Sequence, residues 1–366
     1  MTQPAETTAE AAGATTAERA AMRRALELAA HGPSRGPNPR VGCVLLAPDG
    51  TVLAEGHHRG AGTAHAEVDA LLQARSAHGP DAARGATAVV TLEPCAHHGR
   101  TGPCADALLD AGVARVVHAQ RDPNPAAAGG AARLRAAGVD VVGGLLADEA
   151  RALNAGWTRA VELGRPLVTW KLAASLDGRS AAADGTSRWI TGRSARYDVH
   201  RLRAGVDAVL VGTGTALADD PDLTVRHAPL AGEQPARVVV GLRDLPTSSR
   251  LARAAAAGEP VHHLRTRDPH AVLDALWARE HRRVLLEGGP TLAAAFWRAG
   301  LVDEVVAYVA PVLIGLGKPA VADLGTGTIA DAARLDLLDA TVLAADADDP
   351  TDTTTVRLTL RPRKES

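Results

Sequence analysis

The chain has 366 residues, 46 % of them hydrophobic, and 40 basic side chains set against 42 acidic ones leave a formal net charge of −2. That length exceeds one ordinary core and suggests about two domains, while the composition excludes a disordered or strongly basic chain. Aromatic residues make up only 2 %, too few for a surface that stacks single-stranded bases, so nucleic acid is not an expected partner.

Residues 1–17 read as a disordered tail. Their polar, Ala- and Thr-rich opening lacks the basic-then-apolar order of a signal peptide, and no run of about 18 apolar residues follows anywhere, so no membrane is expected and the cytoplasm is the expected compartment. The spacing of Met22, Leu26, Ala29 and Ala30 predicts a helix over 18–31. Strands follow at 41–46 and 52–55, then a helix at 65–77 and strands at 88–91 and 113–119. This alternation predicts a layered α/β domain over 18–147. A linking helix is expected at 148–163, within a connecting segment 148–165 that Gly164, Arg165 and Pro166 bring to an end. The second domain, 166–366, again alternates, with strands expected at 167–172, 208–211, 237–240, 260–264, 283–286 and 305–309. A polar–apolar alternation at 353–361 reads as a last, half-buried strand.

The chain has three cysteines, which cannot all pair internally, and a disulfide framework is not expected. Cys43, within VGCVLL, is expected to be buried. His65, Cys95 and Cys104 can supply one nitrogen and two thiolates to Zn²⁺, leaving the fourth tetrahedral position to a water. Glu67, two residues beyond His65, is placed to shuttle protons between that water and a leaving amine, as in zinc nucleobase deaminases. The alternative is that the cysteines are small core residues and His65 a surface imidazole. Eight residues separate Cys95 from Cys104, more than the two of the general deaminase signature, and the wider gap points to a particular subgroup.

The second half has no G-x-G-x-x-G after its first strand, so a dinucleotide would be held in another way. Two glycine-rich turns, 212–215 and 287–291, follow apolar strands and can admit a phosphate to the backbone; each can equally be a tight structural turn. The chain has only three lysines, Lys171, Lys318 and Lys364, against 37 arginines. Lys171 lies inside an apolar strand, where its ammonium can donate to a phosphate, a ribose or a carbonyl; the alternative is a strand-edge salt bridge.

Taken together, these motifs resemble the bifunctional deaminase/reductase family of riboflavin biosynthesis over nearly the whole chain after residue 17. The resemblance rests on NPRVGCV (38–44), HAEVDAL (65–71), TLEPCAHHGRTGPC (91–104) and DPNP (122–125) in the first half. In the second half it rests on KLAASLDG (171–178), SRWIT (187–191), TALADDPDLTVR (215–226), EGGPTL (287–292) and LVDEVV (301–306). It implies a cytidine-deaminase-like three-layer α/β/α domain followed by a dihydrofolate-reductase-like α/β domain. The first would use Zn²⁺ to deaminate a phosphoribosylaminopyrimidine, and the second would use NADPH to reduce its ribosyl group to ribityl.

By the same resemblance His65, Cys95 and Cys104 hold zinc and Glu67 is the catalytic proton shuttle. Asn38, His58, His97, Arg100, Thr101, Asp122 and Asn124 would contact the deaminase substrate. Asn and Asp suit the donor and acceptor edge of a pyrimidine, and His97 and Arg100 suit a phosphate; Asn38 and Asp122 taken alone would read as turn residues. In the second domain Ala173, Trp189, Thr215, Asp219, Gly288 and Gly289 would contact the cofactor, and Lys171, Ser187, Arg203, Arg226 and Glu287 the reductase substrate. The family is commonly oligomeric, so a homo-oligomer acting on a small-molecule substrate is expected.

Four departures stand out. Gly102 replaces a usual proline, Asp69 replaces a common histidine, and residues 126–133 look one residue short. Val240, Gly241, Leu242 and Arg243 replace a segment in which an acidic residue and a small hydroxyl often meet the cofactor's ribose, which leaves NADPH against NADH open. Arg243 can serve a 2′-phosphate or simply be solvated. A polynucleotide deaminase, or a metal-stabilised module whose second half only scaffolds the first, are the competing readings.

Overall fold

The structure is a computed structural model that describes residues 13–97, 102–230 and 232–363. The chain divides into two compact units between Gly164 and Arg165. The first contains α1 (Thr16–Ala30), β1 (Gly42–Leu46), β2 (Val52–His57), α2 (Ala66–His78), β3 (Thr87–Leu92) and α3 (Cys104–Asp110). It continues with β4 (Arg115–Gln120), α4 (Gly130–Ala136), β5 (Asp140–Val142), α5 (Ala147–Leu153) and α6 (Ala155–Leu163).

Helix α1 starts two residues before the expected position, because Thr15 and Glu18 close a reciprocal capping box: the Thr15 hydroxyl accepts from the Glu18 N–H and the Glu18 carboxylate from the Thr15 N–H. The remainder of the expected disordered tail, residues 1–12, lies outside the described residues. The single linking helix expected at 148–163 is two helices, broken at Asn154, whose φ of −109° leaves the helical range. Elements α3, α4 and β5 were not expected; at seven, seven and three residues they are too short for a periodic signal.

The strands of the first unit run in the order β2-β1-β3-β4-β5, with β1 antiparallel to both β2 and β3, and β3, β4 and β5 parallel. Both faces of the sheet are covered. Along β1, Cys43 and Leu45 join one core cluster with Ala66, Ala70 and Ala74 of α2, while Val44 and Leu46 join another with Met22, Ala25 and Leu28 of α1. Burial on both sides explains why the central strands read as unbroken apolar runs.

The second unit contains β6 (Leu167–Ser175), β7 (Arg179–Ala182), α7 (Arg193–Ala204), β8 (Ala208–Gly212), α8 (Thr213–Asp219), β9 (Ala236–Val240) and α9 (Arg250–Ala256). Then come β10 (Val261–Leu264), α10 (Pro269–Trp277), β11 (Arg283–Leu286), α11 (Pro290–Arg298), β12 (Glu304–Ala310), β13 (Gly317–Pro319), β14 (Leu335–Leu343) and β15 (Thr355–Pro362). The main sheet has the order β10-β9-β8-β11-β6-β12-β15-β14, parallel as far as β12 and antiparallel beyond it. Strand β14 was not expected: its side chains are mostly exposed, so it carries no buried repeat.

The chain leaves β8 for β9 on one side and returns through β11 on the other. That reversal opens a crevice beyond the carboxyl ends of β8 and β11, the usual ligand position of an open parallel sheet. The two glycine-rich turns stand at those strand ends.

Candidate active sites

In the first unit His65 is the N-cap of α2, Glu67 lies in its first turn, and Cys104 is the first residue of α3. The sheet thus brings two helix amino ends toward the loop that carries Cys95 after β3. His65 Nδ1 lies 3.2 Å from Cys104 Sγ and 3.7 Å from Cys95 Sγ, and the three ligand atoms fall within 4.8 Å of one another. A tetrahedral Zn²⁺ with its usual bond lengths would separate nitrogen from sulfur by about 3.6 Å, so the donor set and spacing fit that ion.

The Cys104 N–H donates to Cys95 Sγ at 3.3 Å. Hydrogen bonding from Cys104 and then His65 pushes the Cys95 thiol down to about 4, whereas the adjoining Cys95 sulfur and burial push Cys104 up. Both cysteines must ligate as thiolates, so binding of the ion would draw off the thiol protons that remain. Glu67 is buried, and burial pushes its carboxyl up to about 6. Gly130 packs so closely behind this loop that a Cβ there would stand 1.7 Å from the Pro94 carbonyl oxygen.

Around these three candidate ligands, Asn38 Nδ2 donates to His58 Nε2 at 2.9 Å. His58 Nδ1 therefore carries the proton and donates to the Ala64 carbonyl at 3.0 Å. The His58 and His65 rings meet edge to face at 5.4 Å. Asp122 Oδ1 accepts from the Asn124 N–H at 2.8 Å, and burial pushes the Asp122 carboxyl up to about 6. His97 is half-buried, and Arg100 and Thr101 lie outside the described residues.

Three residues that the sequence reading passed over hold this arrangement. Glu93, one position before Pro94, accepts from the backbone N–H groups of Asp122, Gly129 and Ala131 and so fastens the 122–131 loop. Its place inside the TLEPC motif was the only available signal. Asn154 and Trp157 bond to the backbone of Arg40 and Pro37, respectively, and no local pattern marks them. Asp69, at one of the departures, accepts from the His57 N–H and pairs with Arg59 at 2.8 Å.

In the second unit the Arg203 guanidinium meets both Glu287 oxygens, at 2.6 and 2.9 Å, and also donates to the Thr224 carbonyl. Burial pushes the Glu287 carboxyl up, but Arg203 outweighs it and holds the group ionised. Burial likewise pushes the Lys171 ammonium down, with the Glu287 charge opposing it. Lys171, in the middle of β6, forms one charged cluster with Arg203 and with Glu287, which follows the last residue of β11. Arg226 lies apart from that ion pair, bound to Asp222 and Thr224, while its backbone N–H donates to His200 Nδ1 at 3.3 Å.

Thr215 Oγ1 accepts from the Gly289 N–H at 3.0 Å, so the two glycine-rich turns touch across the crevice, with Gly288 beside Leu292. Trp189 is exposed, with the Arg196 guanidinium 4.6 Å from its ring centroid. Asp219 ends α8 and its carbonyl accepts from Arg188; Ala173 pairs with Tyr308 across β6 and β12; Ser187 is half-buried between β7 and α7. Gly241, at φ +134°, ends β9, and a Cβ there would meet Thr213 Oγ1 at 2.7 Å. Arg243 Nη2 lies 3.4 Å from where a Cβ on Gly214 would stand.

Residues 15–120 match the family model for the cytidine and deoxycytidylate deaminase zinc-binding region, and residues 166–347 match the RibD C-terminal domain. The riboflavin biosynthesis protein RibD of Mycobacterium tuberculosis is 50 % identical over 301 residues, which cover 81 % of this chain and 86 % of that protein. RibD of Escherichia coli is 44 % identical over 327 residues, covering 80 % and 88 %. The solved structure of Acinetobacter baumannii RibD superposes with a TM-score of 0.80 at 40 % identity, covering 95 % of this chain and 99 % of that one. A diaminohydroxyphosphoribosylaminopyrimidine deaminase/5-amino-6-(5-phosphoribosylamino)uracil reductase from Thermotoga maritima gives 0.75 at 32 % identity, with the same coverage. With both halves matched in order and half of the aligned residues shared with the mycobacterial protein, the chain belongs to the RibD family of riboflavin biosynthesis proteins.

Proposed function

We propose that the first unit hydrolyses the 2-amino group of 2,5-diamino-6-(5-phosphoribosylamino)pyrimidin-4(3H)-one, and that the second reduces the ribosyl group of the product to ribityl with NADPH. The observation that carries the reading is the convergence of His65, Cys95 and Cys104 beside the buried Glu67. Zn²⁺ held by these three residues would supply the Lewis acidity that lowers the pKa of a water to about 7.

Glu67, buried two residues beyond His65, would take a proton from that water and return it to the departing amine, the two-way transfer a positioned carboxyl can perform. Asn38 uses one amide N–H on His58 and keeps Oδ1 as an acceptor for an amino group of the pyrimidine. Asp122 and Asn124 read its remaining edge, and His97, Arg100 and Thr101 receive the phosphate.

NADPH bound in the second unit would supply the hydride, so that site has chiefly to orient its reactants. Thr215, Gly288 and Gly289 line the crevice for the cofactor, joined by Ala173, Trp189 and Asp219. Glu287 is committed to Arg203 through both oxygens and acts as a fixed charge rather than a base. Lys171 is left to donate to the substrate, beside Ser187, Arg203 and Arg226. Arg243 forms no ion pair among the described residues and sits against the Gly212–Thr215 turn; we read it as the group that meets the 2′-phosphate of NADPH.

We place the protein in the cytoplasm, where three free cysteines remain reduced. No helix among the described residues is long and apolar enough to cross a membrane. We further propose a homo-oligomer joined through β14, an edge strand exposing Leu337, Leu338 and Val342.

The test is a coupled assay on zinc-replete protein that follows ammonia release and NADPH oxidation separately. Both signals are expected, with oxidation dependent on prior deamination. Ammonia without oxidation would remove the reductase reading and turn attention to the 240–243 segment; neither signal would remove both.

A further inference from the structure

The stretch between α1 and β1 carries Asn38 yet has no regular secondary structure, and it contains Gly32, Pro33, Gly36, Pro37 and Pro39. Pro37 and Pro39 stiffen the backbone around Asn38 without joining it to a helix or strand. It is held from the far end of the first unit, about 115 residues away in sequence, by two side chains at the α5–α6 junction. Asn154 Oδ1 accepts from the Arg40 N–H and Asn154 Nδ2 donates to the Arg40 carbonyl, both at 2.8 Å. Trp157 Nε1 donates to the Pro37 carbonyl, also at 2.8 Å. The two anchors thus bracket Asn38 on either side.

Asn154 is well suited to its part. It is 5 % exposed, so water cannot readily replace it. Its backbone is fixed from both directions, its N–H donating to the Ala150 carbonyl of α5 and its carbonyl accepting from the Thr158 N–H of α6. A primary amide is the group that can accept from an N–H and donate to a C=O of one residue at once. A carboxylate would leave the Arg40 carbonyl unpaired, and a glutamine would carry the amide a methylene too far.

From Arg40 the chain passes directly into Val41, whose carbonyl accepts from the His58 N–H at 2.9 Å. The clamp therefore sets the spacing of Asn38 and His58 beside the metal ligand His65.

We infer that Asn154, seconded by Trp157, is a positioning residue of the deaminase site that acts through the 37–40 turn on Asn38. The inference rests on the deaminase reading given above. A displacement of about 1 Å in a substrate-orienting group is enough to cost large factors in rate, so the loss should appear in substrate handling rather than in metal content.

The experiment uses the full-length, zinc-replete chain and the variants Asn154→Ala, Asn154→Asp, Trp157→Phe, Asn38→Ala and the double variant Asn38→Ala/Asn154→Ala. For each, kcat and KM of ammonia release, bound zinc, the melting temperature and reduction of the pre-deaminated substrate are measured. Asn154→Ala and Asn154→Asp should raise KM about tenfold, with zinc stoichiometry and reductase constants unchanged. The double variant should be no worse than Asn38→Ala alone, because both changes remove the same orientation.

A lowered melting temperature with KM unchanged would overturn the inference, as would full additivity in the double variant. Should the Asn154 variants fail to fold, Trp157→Phe decides alone: it removes one hydrogen bond and keeps a ring, and an unchanged KM there overturns the role. Absence of ammonia release by the unaltered chain would instead sink the deaminase reading itself, and the role assigned to Asn154 with it.

Discussion

The two units assemble their sites from different materials. The first gathers titratable side chains at the amino ends of α2 and α3, where burial and mutual contact move Glu67, Cys95 and Cys104 away from their ordinary pKa values. The second is built from backbone turns at the ends of parallel strands, with one buried ion pair and no comparable set of metal ligands among the described residues. A hydrolytic centre needs a few groups at fixed spacing, whereas a hydride-transfer site needs a shaped surface and fixed charge. Changes in one unit should therefore leave the chemistry of the other intact, and this independence can be tested.

The largest effect is expected from the metal centre. Cys104→Ser, or removal of zinc by a chelator, should abolish ammonia release while reduction of pre-deaminated substrate continues at its original rate. Glu67→Gln should lower deamination about a thousandfold with zinc still bound; an unchanged rate would end the proton-shuttle role. Next comes Glu287→Gln, which strips Arg203 of its buried counter-charge and should cost the second unit about 3 kcal/mol. Calorimetry should then show a lower transition, with ammonia release at 25 °C unaltered.

Arg243→Ala should raise KM for NADPH about tenfold and leave KM for NADH where it was. Equal effects on both cofactors would show that Arg243 does not read the 2′-phosphate. The last effect concerns pH. Burial, then Arg203 and Arg226, push His200 down to about 4, and its Nδ1 accepts from the Arg226 N–H. The unfolded chain thus binds a proton near pH 6.5 that the folded chain refuses until about 4, so stability should fall as pH drops through that window. The loss is on the order of 2 kcal/mol, and His200→Gln should flatten it in denaturant titrations at several pH values.

What the sequence made legible follows the same division. His65, Cys95, Cys104 and Glu67 belong to residue types that are scarce or costly to bury, and their spacing alone suggested a zinc hydrolase. The main strands were readable because burial on both faces makes them continuous apolar runs. Ala173 has no such chemistry, and only resemblance to a family marked it, while the glycine-rich turns that carry Thr215 and Gly288 read equally well as tight structural turns. The clamp at Asn154 was invisible for another reason: its partners lie more than a hundred residues away, and the same residue interrupts what the apolar repeat presented as one helix. Strand β14 escaped notice because exposed Leu337, Leu338 and Val342 break the alternation that identifies a half-buried strand.

The close approach of Gly130 to the Pro94 carbonyl extends the mutational reach of the metal centre beyond its ligands. Even the single methyl of alanine at position 130 would have to displace the main chain one residue ahead of Cys95, because backbone cannot rotate aside as a flexible side chain can. In a saturation library, position 130 should accordingly sort with the metal ligands, although it binds nothing, while its neighbour Gly129, which has open space where a Cβ would stand, should be limited only by its left-handed backbone.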